Sequence, residues 1–444
     1  MKISVVGLGK LGAPLAAVFA SKGFDVVGVD LNPTYVDAIN AGKPPVDEPR
    51  LQELIEASRT RLRGTLDIAE AVASTDATFV IVPTPTDATG RFSNAAVLAA
   101  MEAVGRALRH KTQYHLVVMT STVMPGSTGG EIREALERHA ERPVGPRLGL
   151  CYNPEFIALG SVVRDMLRPD MILIGESDAK AGDLLESIYA DSCDNEPIIQ
   201  RMNFVNAELT KIAVNTFVTT KISYANMLAD ICDRLPGADV NVVTQAVGAD
   251  SRIGVKYLRG ATGYGGPCFP RDNVAFSALA RSLGARADLA EATDAVNRYQ
   301  VERLLGAVEA RLNGSGPVGV LGLSYKPDTA VIEESQGVAL VNRLVELGHR
   351  VIAYDPKALP AAHAALCRSF DAAASAADCV RRSSLVVVTT AWAEFADLPT
   401  DAFERPTGRV TVIDCWRITP KTLANVADVV YLGQGARHGA SVMA

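Results

Sequence analysis

The sequence has no excess of basic residues, since 44 Lys and Arg stand against 50 Asp and Glu and give a net charge of −6 over 444 residues. This balance removes any general attraction to nucleic acid or to an anionic membrane. The first apolar run, residues 3–6, ends at a glycine turn, so we expect neither a signal peptide nor a membrane span at the N-terminus. We therefore expect a cytoplasmic protein without nucleic-acid or membrane partners.

Paired cysteines and motif-bound histidines are also lacking. The seven cysteines are scattered without a CxxC pair, which indicates neither a disulfide framework nor a zinc cluster, and we expect no metal. The six histidines all lie outside the motifs below, which argues against an alcohol dehydrogenase that uses a histidine base. With 48% hydrophobic residues, the chain is long enough for two or three domains with full cores.

The N-terminal segment carries a dinucleotide-binding pattern. An apolar strand leads into Gly7, Gly9 and Gly12, a helix follows, and a second strand ends at Asp30. These glycines permit a tight turn, close approach of a pyrophosphate and close helix packing, with Leu11 among the expected cofactor contacts. A carboxylate at Asp30 accepts from both ribose hydroxyls and repels a 2′-phosphate, which favours NAD over NADP.

Two further buried strands are predicted at 77–85 and 115–122. Each ends in hydroxylated or proline residues, and ligands of open α/β sheets bind at the carboxyl ends of strands. Ordinary turn chemistry would explain the same residues. The candidate cofactor or substrate contacts are Thr84, Pro85, Thr86, Ser121 and Thr122.

A second copy of the pattern lies near the C-terminus. Residues 316–328 and 348–356 echo the first strand, turn and acid-ended second strand, but Ser324, Lys326 and Pro327 replace the glycine fingers. This predicts an α/β fold with two Rossmann-like doubly wound domains, of which the second binds a different nucleotide.

Residues 201–235 lack Gly and Pro and carry apolar residues at helical spacing, which predicts one long central helix. Apolar residues on more than one face lead us to expect packing on both domains and on a second subunit, hence a homodimer. The predicted domains are 1–198 for NAD, 199–300 for the helical dimerisation segment and 301–444 for the nucleotide sugar.

The run 263–272, GYGGPCFPRD, has the composition of a nucleophile loop. Glycines and prolines stiffen the backbone around Cys268, and Arg271 with a helix beginning near Asp272 would lower the pKa of the thiol. The alternative is a Gly/Pro-rich turn that happens to carry a small buried cysteine.

Three more side chains are candidates for catalysis. Lys211 and Asn215 lie four residues apart on the predicted helix, so both can aim at one oxyanion, although a solvated surface pair is the alternative. Glu155 follows an Asn-Pro turn, where partial burial would raise the pKa of its carboxyl toward that of a base. The alternative for Glu155 is a helix-start glutamate stabilised by the helix dipole.

Together these residues resemble the UDP-glucose/GDP-mannose dehydrogenase family, most closely its UDP-glucose 6-dehydrogenase branch. The likeness spans the whole chain. The matching runs, in order, are GLGKLG, STVMPGST, NPEF, AELTKIAVNTFVTTKIS, GYGGPCFPRD, GLSYKPDT and AYDP.

The resemblance implies oxidation of a sugar C6 alcohol to a carboxylate with two NAD in sequence. It implies that Cys268 attacks the aldehyde to form a thiohemiacetal and then a thioester, while Lys211 and Asn215 stabilise oxyanions. By the same likeness, Asp272 with Lys211 positions water or relays a proton, and Glu155 and Thr122 serve the hydrolysis or hold that water. The implied substrate contacts are Glu155, Phe156, Lys211, Asn215, Arg252 from a neighbouring subunit, Tyr257, Gly265, Tyr325 and Lys326.

Two positions depart from the family pattern. Leu159 stands where an acidic residue is usual, and Glu333 stands where an arginine that contacts the cofactor is usual. Both could accompany another substrate, such as a UDP-N-acetylhexosamine, GDP-mannose or dTDP-glucose. Two other functions remain open at this stage, a one-step NAD-dependent hydroxyacid dehydrogenase and a catalytically silent nucleotide-sugar sensor.

Overall fold

The computed structural model describes residues 1–435 except 313, 315 and 368. The last residues of the third predicted domain, 436–444, lie outside this description. The chain divides into two compact units, Met1–Ala213 and Val214–Ala444. Each unit contains one sheet.

The first unit is built on an eight-stranded sheet. Short runs rich in Val, Ile and Leu form strands whose residues are buried on both faces, as expected when helices cover the sheet. The order is β3-β2-β1-β4-β5-β6-β7-β8, and all neighbours are parallel except β6 and β7. The strands are β1 Lys2–Val6, β2 Asp25–Val29, β3 Leu62–Thr65, β4 Ala77–Val80, β5 His115–Met119, β6 Leu148–Tyr152, β7 Met171–Glu176 and β8 Ile198–Met202.

Helices flank both faces of this sheet and give two apolar clusters. Helix α1 is apolar and almost wholly buried, and it packs against β1 and β2. The helices that begin in this unit are α1 Gly12–Ser21, α2 Pro33–Asn40, α3 Leu51–Ala57, α4 Ile68–Ser74, α5 Ala95–Leu108, α6 Arg133–Ala140, α7 Val162–Leu167, α8 Ala179–Ser192 and α9 Phe204–Arg234, with a π-helical turn at Thr128–Ile132.

The long helix α9 confirms the predicted central helix. It runs for 31 residues, from Phe204 to Arg234, and the division between the two units falls within it. Its predicted start at residue 201 was too early, because Arg201 and Met202 belong to strand β8 and pair with β7. Pro236 and Gly237 follow its end, where residues of these two types stop a helix.

The second unit holds a six-stranded parallel sheet in the order β11-β10-β9-β12-β13-β14. This is the 3-2-1-4-5-6 order of a dinucleotide-binding fold, which the first six strands of the other unit also follow. The strands are β9 Val318–Leu321, β10 Val351–Tyr354, β11 Asp371–Ala372, β12 Leu385–Val388, β13 Val410–Asp414 and β14 Ala427–Tyr431.

The helices that begin in this unit fall into two groups, three that precede the sheet and four that accompany its strands. They are α10 Val240–Ala249, α11 Phe269–Ser282, α12 Asp288–Glu309, α13 Gln336–Glu346, α14 Leu359–Ala365, α15 Ala376–Arg381 and α16 Ala393–Ala396, with 3-10 turns at Thr400–Phe403 and Lys421–Asn425. The two sequence-predicted Rossmann-like sheets are therefore both present.

No helix in the described part of the chain is long and apolar enough to cross a membrane. Within the same residues, no three His, Cys, Asp or Glu side chains cluster as metal ligands.

Candidate active site

The glycine turn of the first unit forms a cradle that fits a dinucleotide. Gly7 has a φ of 98°, and a Cβ there would overlap the carbonyl oxygen of Ile81. A Cβ at Gly12, the first residue of α1, would overlap the carbonyl oxygen of Gly7, whereas the space beside Gly9 is open. The turn and the helix thus pack tightly and leave room at Gly9, where a pyrophosphate would meet the N-terminus of α1.

Asp30 lies beyond the end of β2, beside this turn. Its carboxylate accepts hydrogen bonds from the backbone N–H groups of Leu8, at 2.6 Å, and Asn32, at 2.8 Å, and it stays partly exposed. The carboxylate is therefore fixed where a ribose would bind. Leu11 is the N-cap residue of α1.

The loops after β4 and β5 are joined by hydroxyl groups. Thr84 is buried and donates to the carbonyl oxygen of Thr122 at 2.8 Å, and Ser121 bonds both backbone groups of Val82. The Thr84 hydroxyl thus serves turn chemistry in this structure, and Pro85 contributes a carbonyl oxygen to the same loop, which Ser93 N–H bonds at 2.8 Å. The loop after β4 lies at the switch point of the sheet, because β4 is the neighbour of β1, and β5 is the next strand along.

Lys211 lies on α9 beside the segment that follows β6. Its buried ammonium group donates to the carbonyl oxygen of Glu155 at 2.6 Å and sits 4.6 Å from the centre of the Phe156 ring. The structure therefore brings together three of the predicted residues. The predicted surface-pair alternative for Lys211 does not apply, because the side chain is buried.

The carboxyl group of Glu155 faces the interior of the first unit. It lines a cavity of about 10 Å³ together with residues of α1 and α8, and Tyr189 donates to it at 3.3 Å. Burial raises the pKa of Glu155 to about 7, although the Tyr189 hydrogen bond and the Lys211 charge act in the opposite direction. A carboxyl with such a pKa can exchange a proton near neutrality.

Cys268 occupies the N-cap position of α11, and it is exposed. The helix begins at Phe269 rather than near Asp272, so the prediction placed its start several residues too late. The free N–H groups and the dipole at a helix N-terminus favour a thiolate over a thiol. Exposure also removes the alternative of a small buried cysteine.

Asp272 lies one turn into α11 and is fully buried. Its carboxylate accepts from the Asn215 side-chain amide at 2.6 Å and from Arg271 at 2.9 Å, and its backbone N–H donates to the carbonyl oxygen of Cys268 at 2.8 Å. Asn215, Asp272 and Cys268 are thus linked within the second unit. Asn215 follows Lys211 on α9 by one helical turn.

The glycines before Cys268 approach the segment after β9. The N–H of Gly266 donates to the carbonyl oxygen of Glu333 at 2.9 Å, and a Cβ at Gly266, where φ is 85°, would lie 2.6 Å from the Tyr325 ring. A Cβ at Gly265 would overlap the carbonyl oxygen of Glu334. The predicted substrate residues Gly265 and Tyr325 therefore lie side by side, next to Lys326.

Two other predicted substrate residues lie on the loop after α10. Arg252 is exposed and pairs with Asp250 at 2.6 Å. Tyr257 has a φ of 63° and is half exposed, and its ring is T-shaped to the Phe269 ring with the two centroids 6.3 Å apart. The contribution of Arg252 to a neighbouring subunit stays a prediction.

The turn after β9 corrects the expectation that the second copy loses its glycine fingers. Gly322, with a φ of 110°, packs against Thr390, and a Cβ at Gly337 in α13 would overlap the carbonyl oxygen of Gly322. These two glycines pack as Gly7 and Gly12 do. Only the middle finger is replaced, by Ser324, and the connection is longer, residues 323–335.

Asp355, which ends the second strand of this copy, differs from Asp30 in its bonding. It is buried, and one oxygen accepts from the N–H groups of Leu323 and Ser324 at 2.8 and 2.9 Å, from the Ser324 hydroxyl at 2.9 Å and from the Trp392 indole at 3.0 Å. The other oxygen accepts from the N–H groups of Lys357 and Ala358. The carboxylate is therefore committed to its own domain and does not present a ribose acceptor.

Glu208 is a residue that the sequence analysis missed. It lies on α9, three residues before Lys211, and its buried carboxylate accepts from the N–H groups of Gly126 and Thr128 at 2.6 and 2.7 Å. Burial raises the pKa of Glu208. Glu208 anchors the STVMPGST run. The signal available in the sequence was a charged residue beside the apolar Ala207 and Ile212, which are buried in the structure.

Comparison with known proteins places these features in one family. Three models of the UDP-glucose/GDP-mannose dehydrogenase family match, the NAD binding domain at residues 1–193, the central domain at 205–299 and the UDP binding domain at 319–421.

A UDP-glucose 6-dehydrogenase of Haloferax volcanii is 38% identical over 426 residues, which cover 95% of this chain and 98% of that protein. A GDP-mannose 6-dehydrogenase of Pseudomonas putida is 34% identical over 359 residues, 80% of this chain and 81% of its own. A UDP-glucose dehydrogenase structure from Pyrobaculum islandicum superimposes with a TM-score of 0.87 at 37% identity, covering 97% of this chain and 96% of that one.

Proposed function

Because the chain belongs to the UDP-glucose/GDP-mannose dehydrogenase family, we propose that it oxidises the C6 alcohol of UDP-glucose to the uronic acid with NAD. The observation that carries the four-electron reaction is the exposed thiol of Cys268 at the N-terminus of α11. A one-step dehydrogenase would have no use for this thiol. We propose UDP-glucose rather than GDP-mannose as the substrate, because the UDP-glucose 6-dehydrogenase that is 38% identical matches nearly the whole chain.

The cofactor would be held by the cradle of Gly7, Gly9, Leu11 and Gly12, with Asp30 at the ribose. The other side of the cofactor would be lined by Thr84, Pro85 and Thr122. NAD, when bound, accepts the hydride that leaves C6 in each oxidation.

In the first oxidation, C6 loses a hydride and O6 loses a proton, which gives the aldehyde. The thiolate of Cys268 then forms a bond to C6, and the carbonyl electron pair moves to O6. Loss of the second hydride converts this thiohemiacetal into a thioester. Water attacks C6 and gives up its two protons to solvent, the C–S bond breaks, and the carboxylate leaves with the thiolate restored.

The remaining residues are assigned by the charge that develops at O6. Lys211 and Asn215 would donate to the oxyanion, since preorganised donors act most strongly in a site without water. Asp272 would position water or relay the proton, and Glu155 with Thr122 would serve the hydrolysis. Lys326, Arg252 and the loop from Tyr257 to Gly265 would hold the nucleotide sugar, with Tyr325 and Phe156 beside them.

We expect two NADH to form per sugar nucleotide consumed, measured by absorbance. UDP-glucose should be the best substrate in a panel that also contains UDP-N-acetylhexosamines, GDP-mannose and dTDP-glucose. One NADH with a stable aldehyde or keto product would contradict the mechanism. No NADH with any of the four would leave the nucleotide-sugar sensor as the function. Faster turnover of GDP-mannose would keep the mechanism and change the substrate.

The raised pKa of Glu155 gives a pH prediction. If its carboxylate acts as a base, kcat/KM should fall about tenfold per pH unit below about pH 7, because only the ionised form accepts a proton. Glu155→Gln should lower the rate and abolish this fall of kcat/KM at acidic pH, the acidic limb of the pH profile. The exposed Glu53 supplies the control, since Glu53→Gln should keep both the rate and the limb. An unchanged profile in Glu155→Gln would assign the ionisation to another group.

We also propose that a second copy of the chain covers one stripe of α9. The stripe is apolar yet exposed, by 65% at Phe217 and 51% at Ile231, with Tyr224 and Met227 on the same side at helical spacing and exposed Leu235 directly after the helix. Contiguous apolar surface of this kind marks an interface. A homodimer satisfies it, because the same stripe on both copies is self-complementary across a two-fold axis.

Light scattering should give twice the chain mass of 47.0 kDa for the wild type. Ile231→Glu should shift the mass toward one chain, because it places a charge in the stripe. Leu347→Glu is the matched control, since Leu347 is equally exposed, at 49%, outside α9, and it should leave the dimer intact. A dimer that persists in Ile231→Glu would remove α9 from the interface. We further propose a cytoplasmic location, supported by the finding that none of the seven cysteines forms a disulfide.

A further inference from the structure

The loop that leads to Cys268 has no regular secondary structure. Residues 259–267 belong to neither a helix nor a strand, yet Ala261, Thr262 and Tyr264 are buried. Buried backbone N–H and C=O groups need partners, and a loop outside a sheet finds them only in side chains or other loops. Two asparagines supply them.

Asn226 lies on α9 and is fully buried. Its side-chain oxygen accepts from the N–H of Ala261 at 2.9 Å, and its amide nitrogen donates to the carbonyl oxygen of Thr262 at 2.9 Å. One side chain therefore pairs with the loop as a neighbouring strand would, through one donor and one acceptor.

Asn297 lies on α12 and repeats this arrangement two residues later. Its oxygen accepts from the N–H of Tyr264 at 2.7 Å, and its nitrogen donates to the carbonyl oxygen of the same residue at 3.0 Å. The Asn297 oxygen would lie 2.6 Å from a Cβ at residue 263, which explains the glycine there.

The Tyr264 side chain adds a third attachment. Its hydroxyl donates to Asp294 at 3.0 Å and accepts from Asn273 at 3.0 Å, and its ring is T-shaped to the Phe269 ring with the two centroids 6.3 Å apart. Asn273 and Phe269 belong to α11, the helix that Cys268 caps. The loop is thus joined on one side to α12 and on the other to the helix of the nucleophile.

We propose that Asn226 and Asn297 are positioning residues that hold the Cys268 loop in its reactive geometry. The proposal rests on the proposed role of Cys268 as nucleophile. A buried amide is costly unless all its hydrogen bonds are made, and an apolar side chain would pack the same helix faces without that cost. Both asparagines direct a donor and an acceptor to this loop.

The physical need comes from the exposure of Cys268. An exposed thiol on an irregular loop moves unless its backbone is fixed, and a misplacement of about 1 Å can reduce a rate by about 10²-fold. The first oxidation does not use the thiol. Loosening the loop should therefore affect the second oxidation more than the first.

The test compares Asn297→Leu and Asn226→Leu with the wild-type enzyme and Cys268→Ala, using UDP-glucose and NAD. We expect the complete oxidation to fall by about 10²-fold in each leucine variant, with the KM for NAD unchanged. NADH per sugar should fall from two toward one, and an aldehyde should be trapped by hydroxylamine. A role in folding alone would lower the amount of active enzyme without changing this ratio.

The exposed Asn342 provides the control, since Asn342→Leu should keep the wild-type rate and ratio. If leucine prevents folding, Asn297→Ser, which is too short to reach both backbone groups, takes its place with the same expected ratio. Two NADH at the wild-type rate in the folded variants would overturn the proposal. The proposed function fails separately, if Cys268→Ala itself completes both oxidations.

Discussion

Cys268→Ala should lower the rate of complete oxidation by at least about 10³-fold, because no thioester can form without the sulfur. The first oxidation should survive better, since the thiol enters only after the aldehyde exists. We expect close to one NADH per sugar and an aldehyde that hydroxylamine traps. Rapid-mixing absorbance and mass spectrometry of the quenched reaction measure both quantities.

The chain offers a matched control for this substitution. Cys367 is also exposed and outside any disulfide but lies after α14, so Cys367→Ala should keep two NADH per sugar and the wild-type rate. A mass increase from an acyl adduct on Cys268 during turnover would support the thioester directly. Complete oxidation by Cys268→Ala would mean that another residue forms the covalent intermediate or that water adds directly to the aldehyde.

Lys211→Met should lower kcat/KM by about 10² to 10³-fold, the usual cost of removing one preorganised donor from an oxyanion. The ammonium group is already held by the Glu155 carbonyl oxygen and the Phe156 ring, so it need not reorganise during the reaction. Methionine keeps the length of the stem but loses the charge. Steady-state rates with UDP-glucose measure the effect, and the KM for NAD should change little.

Lys43→Met, at an exposed position in the same unit, is the control and should leave kcat/KM unchanged. A loss of less than about threefold in Lys211→Met would exclude the lysine from the oxyanion. A loss confined to thermal stability would instead limit Lys211 to anchoring the segment after β6.

The fold was largely predictable because its signals are local. Strand β1, the glycine turn, helix α1 and strand β2 follow one another within one continuous segment, and the repeat of this pattern revealed the second sheet. The length of α9 followed from the absence of Gly and Pro. The reversed strand β7 was not predicted, because a buried antiparallel strand has the same apolar run as a parallel one.

For the candidate site, the sequence proposes Cys, Lys and carboxylate side chains because these residue types are few in the motifs, and their catalytic roles stay predictions. The structure brings Lys211 to Glu155 and Phe156, and Asn215 to Asp272. The pKa of Glu155, about 7, agrees with the expected effect of burial.

The side chains that hold the loops were not predictable. Glu208, Asn226 and Asn297 bond to backbone N–H and C=O groups, and every residue except proline offers both. A hydrogen bond from a side chain to backbone therefore requires no particular residue type in the loop that it holds. Only the fold shows which distant loop meets each helix.

The saturation of Asp355 has a consequence for redesign. The second sheet keeps the strand order and two glycines of a dinucleotide site. The simplest redesign to admit NAD is therefore to enlarge the space around its turn, but this would not be sufficient. The reason is that six backbone and side-chain donors already use both carboxylate oxygens. Specificity between the two halves is thus enforced by occupied lone pairs as well as by shape.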